Sequence, residues 1–345
     1  MAEAPLRLIG GTGSPYTRKM VALLRYRRIP YAVTWGHPAQ VLERLGVAPP
    51  RPVLLPTLLF EEDGDIRARC DSTPLIRRLE AEHAGREVVP ANAALAFIDY
   101  LLEDFADEWG TKWMFHYRWC RPADAEKAAT VLPLTIDVSL PPRELEAVAR
   151  AFGDRQIERL WVVGSNTATA PVIEASYERF LTAFAAHLEQ QPCLLGRRPG
   201  ASDFALFGQL SQLAGFDPTP RALADDKAPR VVAWVDRLED LGGLEPTEAD
   251  WNDPSALPPT LRPLLEEVGR VYAPALLANA AAVAAGDAEW ETEIDGAAWR
   301  QRSFPYQAKC LGWIRDEYAA LDAGARAQVD ALLAGTGCDR LLAPG

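Results

Sequence analysis

The sequence has little cysteine, and its cysteines are not placed for pairing or for holding a metal. There are five of them in 345 residues, widely spaced, with no Cys-x-x-Cys and no histidine at metal-ligand spacing. This pattern argues against a disulfide framework and against a zinc site. An odd, unclustered set is typical of reduced thiols, so we expect a cytoplasmic protein that carries no metal.

A basic excess and a long apolar run are missing as well. The formal net charge is −12, which argues against binding to nucleic acid or to an anionic membrane surface. The first residues, MAEAPLRLIGG, lack the apolar stretch of a signal peptide, and the longest nonpolar segment, 273–286, is shorter than a bilayer span. We therefore expect a soluble protein. Its hydrophobic content of 48% suffices for the cores of two domains.

The first ninety residues alternate between short apolar runs and amphipathic segments. Short runs predict strands, and apolar residues that recur every three or four positions predict helices. In chain order the pattern gives strand 6–9, helix 15–28, strand 31–35, helix 38–45, a hairpin between 57 and 70, and helix 72–83. Past Pro90 the strand signal fades and helical periodicity takes over.

Two motifs in this region can carry chemistry. SPYTRKM at 14–20 places Ser14 at a strand-to-helix turn, and Asp71-Ser72 stands at the start of another helix. The free N–H groups and the dipole of a helix start, together with a hydroxyl, form an anion site. Taken alone, each motif is more simply explained as a helix cap.

Taken together and in this order, the elements, the two motifs and Leu55-Pro56 resemble the glutathione S-transferase superfamily. The resemblance implies an α/β thioredoxin-like domain over 1–85 that binds glutathione, followed by an all-α domain over 91–244. Two segments depart from the family pattern. They are a long insert near 119–171 and a helical C-terminal extension over 245–345.

The resemblance names glutathione as co-substrate and implies its contacts. The backbone of Leu55, before a cis Pro56, pairs with the cysteine of glutathione, and Asp71 and Ser72 hold the γ-glutamyl end. The glycine carboxylate has no evident partner, because Leu54 stands where a lysine is common. The candidates for that contact are His37, Gln40, Arg44 and Arg51.

Catalysis requires that the thiol of glutathione ionise near neutral pH. A hydroxyl that donates to the sulfur lowers the pKa of the thiol. Ser14 stands where the resemblance places the activating residue of the Ser- and Cys-type classes, and Tyr16 is the alternative. Because residue 14 is not cysteine, the chain lacks the nucleophile for mixed disulfides with glutathione.

Periodicity predicts one long helix over 91–118, with an aromatic stripe in its second half. Trp109, Trp113, His116 and Tyr117 have the spacing of one helix face. In this fold that part of the helix faces the catalytic turn, so we assign the stripe to the pocket for a small hydrophobic electrophile. The alternative is that the stripe packs in the core.

Further periodic segments predict helices over 142–163, with an interruption at Gly153, and over 172–189 and 202–213. Gly200 occupies the position of the usual N-cap of the last of these, so Asp203 forms only half of a capping box.

The extension predicts three more helices, over 260–285, 306–321 and 323–334, and it holds four of the ten tryptophans. Such a segment packs onto the body. It either caps the outer face of the helical domain or lines the second-substrate pocket through Tyr306, Gln307, Lys309 or Trp313.

The resemblance also implies a homodimer that pairs through the helix after Asp71-Ser72 and the long helix from Ala91, with Asp99 reaching the neighbouring site. The predicted function is a glutathione-dependent transferase that acts on an apolar or aromatic electrophile. The alternatives are a non-catalytic binding or stress protein with this fold, and a glutathione-dependent eliminase or dehalogenase.

Overall fold

The computed structural model describes residues 4–343, and its N-terminal part is a four-stranded sheet with three helices. In chain order the elements are β1 (Leu6–Gly10), α1 (Pro15–Tyr26), β2 (Tyr31–Trp35), α2 (Pro38–Leu45), β3 (Thr57–Glu62), β4 (Asp65–Cys70) and α3 (Ser72–Glu82). The strand order is β2-β1-β3-β4, with β1 parallel to β2 and the other pairs antiparallel. This is the thioredoxin-like arrangement, and the predicted fold class is confirmed.

The second part is helical. Its elements are α4 (Ala93–Glu108), α5 (Gly110–Cys120), α6 (Pro122–Leu134), α7 (Pro142–Ile157), α8 (Ala170–Leu188), α9 (Ala201–Leu213), α10 (Pro218–Lys227) and α11 (Pro229–Leu238), with a 3-10 turn at Leu160–Val163. The prediction of one helix over 91–118 was wrong, because the α-helix is interrupted at Trp109 and the segment divides into α4 and α5, although the φ and ψ of Trp109 stay in the right-handed helical region. Helix α6 was not predicted.

Gly153 does not interrupt α7, contrary to the prediction, and the helix ends at Ile157. A Cβ on Gly153 would lie 3.1 Å from the Cβ of Ala129. The glycine therefore allows α7 to approach α6 closely.

The C-terminal extension contains both helices and a hairpin. Its elements are α12 (Arg262–Glu267), a π-helical segment (Val268–Tyr272), α13 (Ala273–Ala285), β5 (Glu289–Ile294), β6 (Ala297–Arg302), α14 (Pro305–Ala320), α15 (Ala323–Leu333) and α16 (Asp339–Leu342). The hairpin was not predicted, although Asp-Gly between alternating segments is a strong hairpin signal. Both turn residues, Asp295 and Gly296, have positive φ, 54° and 75°.

The extension packs onto α4 and shares one continuous hydrophobic core with the rest of the chain. The Phe97 and Tyr318 rings lie 5.8 Å apart, and the Tyr272 hydroxyl donates to Asp104 Oδ2 at 2.6 Å. Helices α14 and α15 therefore cover part of the surface that we assigned to dimer pairing. The homodimer stays a prediction, and pairing through this face of α4 conflicts with the structure.

One continuous helical run, Pro259–Ala285, has the length and apolar composition of a membrane span, and 56% of its most apolar window is buried inside the protein. The run contains residues 273–285 of the apolar segment considered in the sequence and extends it towards the N-terminus to Pro259. Burial of this kind is typical of a core helix in a soluble protein.

Contrary to the prediction, Asp99 does not reach a neighbouring site. It caps helix α9 within the same chain. It is fully buried, and its Oδ1 accepts from the N–H of Ser202 at 3.1 Å and from the Ser202 hydroxyl at 2.6 Å. A Cβ at Gly200 would lie 2.2 Å from that oxygen. With glycine at this position, helix α9 has no capping side chain of its own at its N-cap, and the Asp99 carboxylate from α4 takes that role. Asp203 supplies the predicted half box by accepting from the Gly200 N–H at 2.9 Å.

Replacing Asp99 with asparagine should remove a pH dependence of stability. Burial raises the pKa of Asp99 to about 7, and its Oδ2 has no partner. The pKa of an aspartate in the unfolded chain is near 3.9, so between about pH 3.9 and 7 the folded state holds a proton that the unfolded state has lost. The stability that this proton provides is therefore lost as the pH rises through this range. Urea unfolding should show that the difference in free energy of unfolding between wild type and Asp99→Asn changes by roughly 2–4 kcal/mol from pH 4 to pH 8, to the disadvantage of wild type. The exposed Asp236→Asn is the control, and parallel profiles for Asp99→Asn and wild type would contradict the assignment.

Candidate functional site

A cavity of about 560 Å³ lies where the two domains, the insert and the extension meet. The thioredoxin-like domain contributes Tyr16, Leu54, Leu55, Asp71 and Ser72 to its wall. Helices α4 and α5 contribute Asp107, Glu108, Thr111 and Lys112. The remaining residues are Arg159, Trp161, Val162 and Val163 from the insert, and Phe304, Tyr306 and Gln307 from the extension. A second cavity of about 320 Å³ shares Asp71 and Tyr306 with the first.

Leu55 offers an unpaired stretch of backbone on the wall of the cavity. The Leu55-Pro56 peptide is cis, as the resemblance implies. Strand pairing starts only at Thr57, and within residues 4–343 neither the N–H nor the C=O of Leu55 has a protein partner. A peptide lying in the cavity can therefore form backbone hydrogen bonds with Leu55.

Asp71 and Ser72 stand at the start of α3, beside the cavity. Asp71 has a φ of 81°, a conformation that Asp and Asn tolerate better than most residues. Its Oδ2 accepts from the Tyr306 hydroxyl at 2.9 Å, and burial raises the pKa of its carboxyl. Ser72 Oγ accepts from Lys19 Nζ at 3.1 Å, which leaves the Ser72 hydroxyl proton available to a ligand.

Lys19 is a buried ammonium that the sequence reasoning missed. Its Nζ lies 2.8 Å from Glu103 Oε1 and 2.6 Å from Asp107 Oδ2. Burial opposes its charged form, but Asp107 and Glu103 outweigh burial and raise the pKa of Lys19. The sequence did contain one indication that Lys19 is buried: it lies four residues before Leu23, on the inward face of α1.

The two hydroxyl candidates at the first turn of α1 differ in what they can donate. Ser14 is not one of the residues that line the cavity. Its Oγ accepts from the Thr17 N–H at 3.2 Å as the N-cap of α1, so its own proton is uncommitted. The Tyr16 hydroxyl lines the cavity, donates to the Asp107 carbonyl at 2.8 Å and lies 2.7 Å from Thr111 Oγ1. Burial raises the pKa of Tyr16 well above its ordinary value.

The candidates for the glycine carboxylate do not line the cavity. His37, Gln40, Arg44 and Arg51 are all exposed. Their side chains lie on α2 and its flanking loops, where the structure brings none of them to the cavity wall. Pro52 and Leu54 occupy that part of the wall instead.

The aromatic stripe lies in the core, so its assignment to the second-substrate pocket was wrong. Trp109, Trp113, His116 and Tyr117 are all buried, and none of them lines the cavity. Both indole N–H groups donate to Ser176 Oγ, at 3.1 and 2.6 Å. This face of α5 therefore packs against α8. The residues of α4 and α5 that do reach the cavity are Asp107, Glu108, Thr111 and Lys112.

His116 is a structural residue as well. Its Nδ1 lies 2.7 Å from Ser165 Oγ and its Nε2 lies 3.0 Å from Glu174 Oε1. Burial lowers the pKa of His116.

Two of the four residues that we proposed for the extension reach the cavity. Tyr306 and Gln307 line it, Trp313 lines only the second cavity, and Lys309 lies exposed on α14. Gln307 Nε2 donates to Glu108 Oε2 at 2.9 Å, and burial raises the pKa of Glu108 to about 8. The extension therefore forms part of the cavity wall.

Comparison with known families identifies both domains. The glutathione S-transferase N-terminal domain matches residues 8–87 and the glutathione S-transferase C-terminal domain matches residues 145–237. The chain therefore belongs to the glutathione S-transferase superfamily. Membership supports a glutathione-dependent transferase in general and does not identify the reaction.

Solved structures resemble the chain more distantly. A glutathione S-transferase from Methylobacterium radiotolerans, solved with glutathione sulfonate, is 19% identical over 68% of this chain and 91% of its own, with a TM-score of 0.39. A glutathione S-transferase from Rhodospirillum rubrum is 18% identical over 75% and 91%, with a TM-score of 0.43. A glutathione transferase family member from Pseudomonas fluorescens, with two glutathione bound, is 17% identical over 68% and 92%, with a TM-score of 0.41. Comparison with curated proteins gives no match.

Removing the shared acceptor of the two tryptophans should destabilise the protein. Ser176→Ala leaves two buried indole N–H groups without a partner, and each unsatisfied buried donor costs roughly 1–3 kcal/mol. Thermal and urea unfolding should show a loss of at least about 2 kcal/mol, whereas Thr182→Ala on the exposed side of α8 should cost little. Equal stability of the two variants would place the stripe outside the packed core.

Proposed function

We propose that the protein binds glutathione in the larger cavity and transfers the glutathionyl group, through its sulfur, to an electrophile bound beside it. One observation carries this proposal: the unpaired Leu55 backbone and the Asp71-Ser72 start of α3 face the same cavity. Glutathione is a tripeptide with a backbone that can pair with Leu55 and with a charged γ-glutamyl end.

The γ-glutamyl group carries an ammonium and a carboxylate, and the start of α3 suits both. The Ser72 hydroxyl and the free N–H groups of the first turn favour the carboxylate. The Asp71 carboxylate favours the ammonium. Asp107 adds a second acceptor, because its Oδ1 is buried on the cavity wall without a partner.

For thiol activation we propose Ser14. Its hydroxyl proton is free, whereas Tyr16 uses its proton within the protein. A hydroxyl that donates to the sulfur stabilises the thiolate over the thiol and so lowers the pKa of the thiol. Tyr16 remains the alternative, because its hydroxyl lies on the cavity wall.

A non-catalytic glutathione-binding protein is the second candidate, and one observation favours it. The side chain of Leu132, on helix α6, packs against Gly13, where a Cβ would lie 2.5 Å from Leu132 Cδ2. The turn that precedes Ser14 is therefore covered by a helix of the insert. Thiol-dependent turnover of an electrophile distinguishes the two candidates.

Replacing Asp71 should weaken glutathione binding. Charge-assisted hydrogen bonds are worth roughly 1.5–3 kcal/mol each, so Asp71→Asn should lower the affinity at least about tenfold. Asparagine tolerates the positive φ and keeps an acceptor for Tyr306. The control is Asp63→Asn, at a second positive-φ aspartate, which is exposed in the β3–β4 turn. Equal glutathione affinity of the two variants in titration calorimetry would remove Asp71 from the site.

Replacing Ser14 should raise the pKa of bound glutathione. Loss of one donor to a developing anion typically lowers the rate about 100-fold or more, so Ser14→Ala should lose turnover and its thiolate absorbance should appear at higher pH. The variant also loses a helix cap, worth about 1 kcal/mol, so folding is checked by unfolding experiments. Tyr16→Phe should leave the thiolate titration in place. The opposite result would assign activation to Tyr16.

A further inference from the structure

Lys112 is a buried cation on the cavity wall without a carboxylate partner. It is 1% exposed and lines the larger cavity. Its Nζ donates to the Val163 carbonyl at 3.3 Å and to Gln301 Oε1 at 3.1 Å, and no carboxylate of residues 4–343 lies within 4.0 Å of it. An ammonium has three N–H donors. Two neutral acceptors leave one donor free.

The insert and the extension together hold this lysine. Gln301, on strand β6, donates from Nε2 to the Val162 carbonyl at 2.7 Å, so its Oε1 is fixed towards Lys112. The rings of Trp109 and Trp299 lie 5.7 and 5.6 Å from Nζ. The close contact needs Gly164, where a Cβ would lie 2.4 Å from Gln301 Oε1. The ammonium is therefore held in place by a packed and specific arrangement.

Cations collect at this end of the cavity although the protein is acidic. Arg159 lines the cavity, and the Arg302 guanidinium lies 4.6 Å from the ring of Trp161, which also lines it. Across the part of the chain that the structure describes, neither arginine has a carboxylate within salt-bridge distance. The cavity is thus acidic near Asp71 and basic near Lys112.

Glu108 is the acid of the cavity that could offset Lys112. Its Oε2 accepts from Gln307 Nε2, and burial raises the pKa of Glu108 to about 8, which disfavours its charged form. Burial also lowers the pKa of Lys112 to about 8. Within residues 4–343 the two side chains do not form an ion pair.

We propose that the second substrate carries a carboxylate, and that this group binds the free N–H of Lys112. The inference rests on the proposed function, since it names the class of electrophile that the transferase takes. The cavity lining also includes the apolar side chains of Val162, Val163 and Phe304, so the substrate joins an apolar or aromatic body to the acidic group. A fixed, desolvated cation favours an anion over its neutral analogue.

Binding of an unreactive pair of probes tests the site without glutathione. The probes are 4-methylbenzoate and 4-methylbenzamide, and the readout at pH 7 is the heat of binding in titration calorimetry. Wild type should bind the acid at least tenfold more tightly than the amide. Lys112→Met should lose this preference, and Lys309→Met, which removes a charge from an exposed position, should keep it.

Turnover of a matched pair of electrophiles tests the transferase. With 4-(bromomethyl)benzoate or its methyl ester, the glutathione thiolate forms a sulfur–carbon bond and the carbon–bromine bond breaks, releasing bromide. After subtraction of the uncatalysed rate, wild type should prefer the acid at least tenfold in kcat/KM. Lys112→Met should react equally with both, and Lys309→Met should behave as wild type.

Equal binding of acid and amide by wild type would overturn the inference, even if Lys112→Met does not fold. A preference that persists in folded Lys112→Met would overturn it too. If the preference for the acid depends on Lys112 but no glutathione turnover is found, the carboxylate site stands and the proposed transferase function fails.

Discussion

The buried ammonium of Lys19 is the interaction on which the site depends. It reaches from α1 to two carboxylates of α4 and to the Ser72 hydroxyl of α3. Removing one partner from a buried ion cluster typically costs about 3–5 kcal/mol, because the remaining charges stay desolvated. These three helices therefore cannot shift independently. The start of α3, the wall formed by α4 and the turn before α1 keep fixed positions relative to one another.

Different segments of the chain form different parts of the cavity wall. The thioredoxin-like domain provides Leu55, Asp71 and Ser72, whereas the insert and the extension provide another part of the wall. The extension also belongs to the continuous core. Changes in the insert can therefore alter that wall without touching Leu55, Asp71 or Ser72, but loss of the whole extension would expose core residues that pack against it, such as Phe105 and Trp109.

Local and ordered features could be predicted from the sequence. The strand-helix alternation gave the fold, and the positions of Leu55, Asp71 and Ser72 on one cavity wall followed from motifs that lie close to defined elements. Tyr306 and Gln307 were predicted because an aromatic, periodic segment must cover an apolar surface. The Asp-Gly turn of the last hairpin carried an equally local signal and was overlooked.

Long-range features could not be predicted. An aromatic stripe has the same sequence pattern whether it faces a pocket or a core, and the contacts with Ser176, more than sixty residues further along the chain, place this one in the core. Lys19 and Lys112 each resemble a solvated lysine in the sequence, because their partners lie far along the chain, at Asp107 and at Gln301. Burial of a single charge depends on tertiary contacts, which hydrophobic periodicity does not record.

The hydrogen bond from Tyr306 to Asp71 gives the protein its own competitor for glutathione. The Tyr306 hydroxyl occupies Oδ2 of the carboxylate that we assign to the γ-glutamyl ammonium. Because Tyr306 belongs to the same chain as Asp71, its effective concentration at Asp71 does not depend on the protein concentration. For a ligand that needs this oxygen, the apparent affinity is the intrinsic affinity multiplied by the fraction of molecules in which Tyr306 has turned away.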